Sequence, residues 1–206
     1  MESQNDPDQD LISRAGNDSD ALNTLFEIHR PRLREMIRIR INPLLRRRID
    51  ESDVVQDVLS DAAKNFSSYA ASPQLPFYIW LRNLAALKLT EVHRRHLSTQ
   101  KRSVRNEVSL NDSPVASSIN MVNELASLEN VPVDDAMRNE LLNRVRKELD
   151  DMDDVDREVL ALRHFEQLSV AETARILGLS KAGAGSRYLR ALKRLGNALS
   201  DILGSD

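Results

Sequence analysis

A stretch near the C-terminal end of the chain carries the helix signals that most constrain its fold. Ser169 and Glu172 form a capping box, in which each side chain satisfies a backbone N–H group at the start of a helix. Gly178 can take a positive φ to end that helix, and Ser180 can cap the next one, which runs over 181–199. The pattern therefore predicts two helices joined by a tight turn, a helix-turn-helix.

The rest of the chain is also predicted to be helical. It has only 6 Gly and 7 Pro in 206 residues and lacks the alternation of β-branched residues that strands show, while helix formers dominate. We expect an all-α protein of two small helical domains joined by a linker, the C-terminal one containing the helix-turn-helix. Because only 4% of residues are aromatic, we expect aliphatic side chains to build the core.

Several classes of function are excluded or disfavoured. Zero cysteines exclude a disulfide scaffold, a cysteine-based zinc site, an iron–sulfur cluster and a thiol nucleophile. There is no glycine-rich phosphate loop and no recognisable Ser/His/Asp arrangement, so we expect no enzyme, no catalytic residues and no cofactor. His93 and His96 lack a third ligand, so no metal is expected. The acidic N-terminus and the lack of an apolar run of about 18 residues predict a soluble, cytoplasmic protein without a membrane span.

The charges are segregated along the chain. The net charge is −5 over residues 1–20, +8 over 21–105, −9 over 106–158 and +3 over 159–206. Two basic modules separated by an acidic connector suggest a polyanion that is held at two places. A chance alternation of solvated faces is the alternative interpretation.

The pattern predicts a polar, frayed N-terminal tail at 1–20, a first domain at 21–105, an acidic linker at 106–134 and a helix-turn-helix domain at 135–206. In the first domain, a helix begins near Ala21 after a cap at Asp18–Asp20, and we expect Pro31 to kink or restart it. Further helices are predicted over 50–69, 77–96, 119–128, 141–149 and 155–166, with a polar loop at 67–76 and with the acid run 150–154 capping the last of these helices.

The predicted helix over 50–69 is strongly amphipathic. Val55, Val58, Leu59, Ala62 and Phe66 share its apolar face. The opposite face carries Asp53, Asp57, Ser60 and Lys64, with Gln56 at the flank. An acidic face inside a +8 module would repel DNA and suits a basic protein partner. Alternatively, Asp53 and Asp57 only stabilise the start of the helix.

The last helix also has two distinct faces. Its predicted core face consists of Ala184, Tyr188, Ala191, Leu192, Leu195 and Leu199. Its opposite face consists of Gly183, Ser186, Arg190, Lys193 and Asn197, flanked by Arg187 and Arg194. Such a face suits the major groove of DNA, although a helical hairpin with a solvated basic face would show the same pattern. Gly185 lies near the core boundary, which predicts close packing against the preceding helix.

Several sequence blocks together resemble the extracytoplasmic-function class of bacterial RNA polymerase sigma factors. The block from Asp53 to Val58 resembles the polymerase-binding helix of that class, and the block from Phe77 to Leu81 resembles the start of its promoter-melting helix. The segments 156–163, 171–178 and 187–194 resemble its promoter-reading domain. The order and spacing of these blocks are more specific than any one of them.

The resemblance implies a sigma region 2-like first domain and a region 4-like second domain. For binding to the clamp helices of the largest subunit of core RNA polymerase, it implies Asp53, Val54, Gln56 and Asp57. For the unpaired minus-ten strand of promoter DNA, it implies Tyr69, Gln74, Trp80, Arg82, Asn83, Thr90, His93 and Arg94. For the minus-thirty-five duplex, it implies Ser180, Lys181, Gly183, Ser186, Arg187, Arg190 and Lys193.

Some alternatives stay open at this stage. Trp80 is as compatible with a core position as with a DNA-facing one. Regulation is expected from outside the chain, for which an anti-sigma factor is the candidate partner. The competing function is a stand-alone helix-turn-helix regulator that binds duplex DNA without polymerase.

Overall fold

The computed structural model describes residues 7–16, 18–42, 45, 48–100, 117–127 and 135–203. Within these ranges the chain is helical and contains no β-strand, which confirms the predicted all-α class. The described α-helices are α1 Pro7–Ala15, α2 Ser19–Arg40, α3 Glu51–Ala71, α4 Phe77–Gln100, α5 Ser118–Ser127, α6 Asp135–Asp150, α7 Asp154–Leu160, α8 Val170–Leu177 and α9 Lys181–Leu203, with a π-helical turn at Ala161–Phe165 between α7 and α8.

The chain divides into two compact units. Unit 1 comprises Met1–Ile37 and Leu45–Ser109, and unit 2 comprises Arg38–Leu44 and Leu110–Asp206. The linker predicted over 106–134 lies outside the described residues except for 117–127.

The prediction of a frayed tail is wrong for residues 7–15, which form α1. Oδ2 of the buried Asp8 lies 2.8 Å from Nε2 of the buried His29, so a buried polar contact joins α1 to α2. Pro31 does not interrupt α2. Because both Pro31 and Glu27 are exposed, water can satisfy the Glu27 carbonyl that has lost its helical N–H partner.

The core of unit 1 is mainly aliphatic, as expected, and a cluster of aromatic side chains lies within it. Six of the 8 aromatic residues of the chain lie in this unit, at 26, 66, 69, 77, 78 and 80. The ring of Phe77 lies 6.3 Å from those of Phe26 and Phe66 and 5.7 Å from that of Tyr69. Although only 4% of residues are aromatic, most of the rings are concentrated in this cluster.

The core of unit 2 is aliphatic, as expected. It is built mainly from Met121, Val122, Val145, Leu149, Met152, Leu160, Ala161 and Ala191. The acid run before α7 caps that helix as predicted, since Oδ1 of Asp153 accepts the N–H of Val155 at 3.0 Å. Arg40 is a buried cation of this unit, and it is paired with Glu158 and Glu166.

Candidate nucleic-acid interface

The turn between α8 and α9 has the geometry that the sequence predicts. The Ser169 N–H donates to Oε2 of Glu172 at 2.7 Å, and the Glu172 N–H donates to Oγ of Ser169 at 3.2 Å, which completes the capping box. Gly178 has φ of 64°, and Oγ of Ser180 accepts the N–H of Gly183 at 3.0 Å at the start of α9. These caps fix the direction in which α9 leaves the turn.

The outer face of α9 carries most of the side chains that sequence analysis assigned to it. Gly183 and Arg187 are half-buried, and the other residues predicted for the minus-thirty-five duplex, Ser180, Lys181, Ser186, Arg190 and Lys193, are exposed. Gly185 was predicted to pack closely against the preceding helix. A Cβ at this position would lie 3.9 Å from Cγ1 of Val170 on α8, which is an ordinary contact distance, so the packing does not require glycine.

Two leucines of α9 are exposed. The predicted core position of Leu192 is wrong, since this residue is 39% exposed, and Leu189 is 68% exposed. Periodicity alone does not reveal this, because the neighbouring helices cover a narrower stripe of α9, marked by the buried Ala184, Ala191 and Ala198.

Arg187 and Arg190 contact the same carboxylate on α7. Nη1 of Arg187 lies 2.5 Å from Oδ1 of Asp156 and 3.4 Å from Oδ1 of Asp153. Nε of Arg190 lies 3.3 Å from Oδ2 of Asp156. The hydrogen bond to Asp156 raises the pKa of the Arg187 guanidinium above its ordinary value, so this side chain keeps its charge. Sequence reasoning gave Asp156 no role of its own, because this residue lies outside the acid run 150–154 and was named only as the first residue of the segment 156–163.

A pocket of about 320 Å³ lies beside the aromatic cluster of unit 1. The rings of Tyr69 and Trp80 stack with their centroids 4.5 Å apart, and the Tyr69 hydroxyl donates to the Leu75 carbonyl at 2.9 Å. Nε2 of Gln74 donates to Oγ of Ser72 at 2.8 Å. The pocket is lined by Asn65, Ser68, Tyr69, Ser72, Gln74, Leu75, Trp80 and Leu84.

The structure brings Tyr69, Gln74 and Trp80 together, as the predicted DNA-binding set requires. The predicted loop over 67–76 is shorter than expected, because α3 continues to Ala71. Tyr69 therefore projects from the last turn of a helix, and its hydroxyl ties that turn to the remaining loop.

The predicted DNA-facing residues of α4 do not all share one face. Asn83, Thr90 and Arg94 are exposed and lie on one side of the helix. Arg82 is buried, and His93 is half-buried, with its pKa lowered from 6.5 by desolvation. Arg82 lies away from this exposed side, because it is one residue, or about 100°, from Asn83 around the helix.

Leu87 also lies on the exposed side of α4. It is 69% exposed and sits between Asn83 and Thr90 along that side. Most residues from Phe77 to Leu89 are apolar, so nothing in the sequence pattern separates Leu87 from the buried leucines.

On α3, three of the four residues predicted to contact polymerase are accessible. Asp53, Gln56 and Asp57 are exposed, whereas Val54 is buried in the core of unit 1. Nζ of Lys88 on α4 lies 3.2 Å from Oδ2 of Asp57.

The same lysine contacts a second carboxylate of α3. Nζ of Lys88 lies 3.4 Å from Oδ2 of Asp61, and Nζ of Lys64 lies 3.1 Å from its Oδ1. These two lysines lower the pKa of Asp61, Lys64 having the larger effect. Lys88 therefore partly neutralises the acidic face of α3 on the side of α4.

Two kinds of site are not found among the described residues. No helix there is long and apolar enough to cross a bilayer, and no three His, Asp or Glu side chains are grouped as a metal ion requires.

Comparisons with known proteins agree with these features. The family described as "Sigma-70, region 4" matches residues 142–195, which include α7, α8 and the first part of α9. No curated protein sequence matches the chain.

Two solved structures are similar over nearly the whole chain. CnrH, solved in complex with the cytosolic domain of CnrY, has a TM-score of 0.55 and 24% identity, with 94% of this chain and 97% of that chain covered. The sigma factor RpoE, solved with the anti-sigma factor NepR from Bartonella quintana, has a TM-score of 0.46 and 16% identity, with 91% and 97% covered. Residues 142–195 therefore match a sigma-70 region 4 domain, and the likeness to CnrH shows that the chain shares its fold.

Proposed function

We propose that this protein is a bacterial RNA polymerase sigma factor of the extracytoplasmic-function class, which binds core polymerase and uses three surfaces to direct initiation at promoters. The exposed face of α3 binds core polymerase, the pocket beside Trp80 captures an unpaired base of the minus-ten strand, and the outer face of α9 reads the minus-thirty-five duplex. The observation that carries the proposal is the pocket, because it combines aromatic surface with amide groups next to a helix that exposes polar and basic side chains.

The pocket has the chemistry that an unstacked base needs. Stacking on aromatic rings compensates a base for the neighbours that it loses on leaving the duplex, and amide side chains can pair with its edge. The rings of Tyr69 and Trp80 supply the stacking surface, and the amides of Asn65 and Gln74 supply the hydrogen-bonding groups. The volume of about 320 Å³ is at the lower end of the range for small-ligand sites, which suits one base.

The exposed side of α4 extends this surface along the strand. Arg94 offers a charge to the phosphate backbone, and Asn83 and Thr90 offer hydrogen-bonding groups. Since Arg82 is buried, we assign it no DNA contact. His93 is half-buried with a lowered pKa, so it would meet DNA as a neutral imidazole.

The exposed carboxylates of α3 support a different contact, with protein. Asp53 and Asp57 are separated by one helical turn, so they present two negative charges on one side of the helix, with Gln56 beside them. Such a surface is complementary to basic side chains of a partner, for which the clamp helices of the largest polymerase subunit are the candidate. Val54 supports this face from the core and makes no direct contact in the proposal.

The outer face of α9 is suited to duplex DNA. Arg190 can address a guanine edge, and Lys181, Ser186 and Lys193 can address phosphates. The N-terminal part of this helix is the end that a helix-turn-helix places in the major groove.

We also propose an anti-sigma factor as a partner. Both structural neighbours were solved as complexes, CnrH with a domain of CnrY and RpoE with the anti-sigma factor NepR. Sigma factors are in general not enzymes, and we propose no catalytic role for this chain. Work with core polymerase would place it in the cytoplasm.

The pocket is tested by replacing Trp80 with alanine and, as a matched control, with phenylalanine. Holoenzyme is formed with core polymerase, and opening is followed by the fluorescence of 2-aminopurine placed at each non-template position of the minus-ten element. We expect W80A to reduce the signal about tenfold or more, because base–aromatic stacking contributes about 1–3 kcal/mol per base. We expect W80F to retain most of it.

Closed-complex formation and thermal unfolding are measured on the same variants. The proposal predicts that W80A forms closed complexes like the wild type. It is contradicted if W80A opens promoters normally, or if the closed complex and the melting temperature fall in step with the open complex, which would make Trp80 a core residue only.

A stand-alone regulator is the competing function, and duplex binding separates the two. A regulator would bind its operator tightly without polymerase. The proposal predicts that the free chain binds promoter duplex weakly and that core polymerase is needed for strong binding.

A further inference from the structure

Asp156 on α7 contacts two arginines of α9 with its two oxygens. Oδ1 lies 2.5 Å from Nη1 of Arg187, and Oδ2 lies 3.3 Å from Nε of Arg190. Arg187 and Arg190 are three residues apart, so they emerge from the same side of α9. All three residues belong to unit 2.

The environment of Asp156 keeps this carboxylate in place. Its side chain is only 12% exposed, and burying a carboxylate costs free energy unless charged or hydrogen-bonding partners compensate for the lost water. Replacing either arginine would leave it with one guanidinium. We therefore expect Asp156 to stay in contact with both arginines at the same time.

The two arginines differ in what they leave accessible. The Arg187 side chain is 32% exposed and is also 3.4 Å from Asp153. The Arg190 side chain is 63% exposed. Asp156 contacts Arg190 along its Nε and Nη2 edge, and within the described residues Nη1 of Arg190 has no hydrogen-bond partner. Arg190 therefore has a fixed inner edge and a free outer end.

A guanidinium fixed in this way is prepared to recognise a base. Arginine reads guanine with two parallel N–H groups, so the orientation of the guanidinium plane decides whether both bonds form. A long side chain that is already ordered also loses less freedom when it binds. We propose that Asp156 is a positioning residue for promoter reading, which orients Arg190 toward one base of the minus-thirty-five element and keeps Arg187 away from the DNA.

This inference rests on the proposed reading of the minus-thirty-five duplex by α9. The test uses the full chain assembled with core polymerase, on promoters in which each minus-thirty-five base is changed in turn. The wild type and R190A together locate the base that Arg190 reads, as the position where R190A loses preference.

We expect Asp156→Asn to reduce the preference at that one position about tenfold and to leave the other positions unchanged, since a good bidentate pair discriminates by about that factor. In the R190A background, Asp156→Asn should cause no further loss at that position, because Asp156 acts through Arg190. A general effect of charge would instead change binding to all promoters alike.

Asp153→Asn is the matched control. It removes the same charge near Arg187 and keeps the cap of α7, because asparagine caps helices as well as aspartate does. Its side chain makes no contact with Arg190 among the described bonds. We expect the base preference of D153N to equal that of the wild type.

Mobility of Arg190 gives a second readout, which in the wild-type chain does not depend on the folding of a variant. In the free full-length chain, the 15N heteronuclear NOE of Arg190 Nε should be high, close to that of the backbone, and it should fall in D156N. The inference is overturned if Arg190 Nε is mobile in the wild type, if D156N keeps the preference at the Arg190 position, or if D156N and D153N change all positions equally. A wild-type holoenzyme with no minus-thirty-five preference would instead overturn the proposed function.

Discussion

Gly178 and Gly196 show how backbone conformation decides the effect of the same substitution. Gly178 has φ of 64°, in the left-handed region, and a Cβ there would meet nothing within 4 Å. Gly196 lies within α9, and a Cβ would again meet open space. Because neither position is crowded, the two substitutions differ only in the backbone conformation that the new alanine must adopt.

We predict that Gly178→Ala lowers the free energy of unfolding by about 1–2 kcal/mol, because alanine is strained in the left-handed region. Gly196→Ala should raise it by up to about 1 kcal/mol, since alanine favours the helix. Chemical denaturation of the two variants measures both signs. Equal effects would contradict the assigned turn.

The lowered pKa of His93 predicts a dependence of stability on pH. A histidine whose pKa is lower in the folded state binds fewer protons there than in the unfolded chain, so it favours the unfolded state increasingly as the pH falls below 6.5. We expect His93→Gln to reduce the loss of stability between pH 7 and pH 5. His164→Gln, at an exposed site, is the control and should follow the wild type. Identical curves for all three proteins would contradict the effect of burial on His93.

Single residues also show which features of the structure the sequence does not predict. The accessibility of Asp53 and Asp57 followed from helical periodicity, whereas the burial of Arg82 did not, because a charged residue is normally expected at the surface. The exposure of Leu189 likewise depends on which stripe of α9 its neighbours cover. Which side chains a neighbouring helix covers is a property of tertiary packing.

At the level of elements, the capped ends were the most predictable. The capping box at Ser169, the left-handed Gly178 and the cap of α7 at Asp153 were all read from residue type and are confirmed by their hydrogen bonds. Helix α1 was missed, and the contact that joins it to α2, between Asp8 and His29, links residues that are 21 apart in the sequence. Tyr69, Gln74 and Trp80, which line the pocket beside α3, were assigned to DNA only through the family resemblance.

The capping box predicts the cost of removing its hydroxyl. Ser169→Ala should lower the free energy of unfolding by about 0.5–2 kcal/mol, since the Glu172 N–H loses its partner. Ser200→Ala is the control, because its hydroxyl bonds only to a carbonyl of the same helix, and alanine is favoured there. Thermal melts of both variants provide the measurement. A loss in S200A as large as that in S169A would argue against the cap.

At the scale of the whole molecule, charge segregation along the chain agrees with binding to two different kinds of partner. The residues proposed for DNA lie in the segments with net charges of +8 and +3, and the exposed acids of α3 form an exception within the first of these. Because the DNA contacts involve phosphates, we expect holoenzyme binding to promoters to weaken with salt.

The central claim is that this chain gives promoter specificity to core RNA polymerase. The most direct measurement is transcription in vitro by core polymerase, with and without the chain, on a genomic promoter library, with start sites mapped by sequencing. We predict a discrete set of start sites that depends on the chain and shares minus-ten and minus-thirty-five elements. A chain that does not bind core polymerase, or that binds it without producing new start sites, would contradict the account.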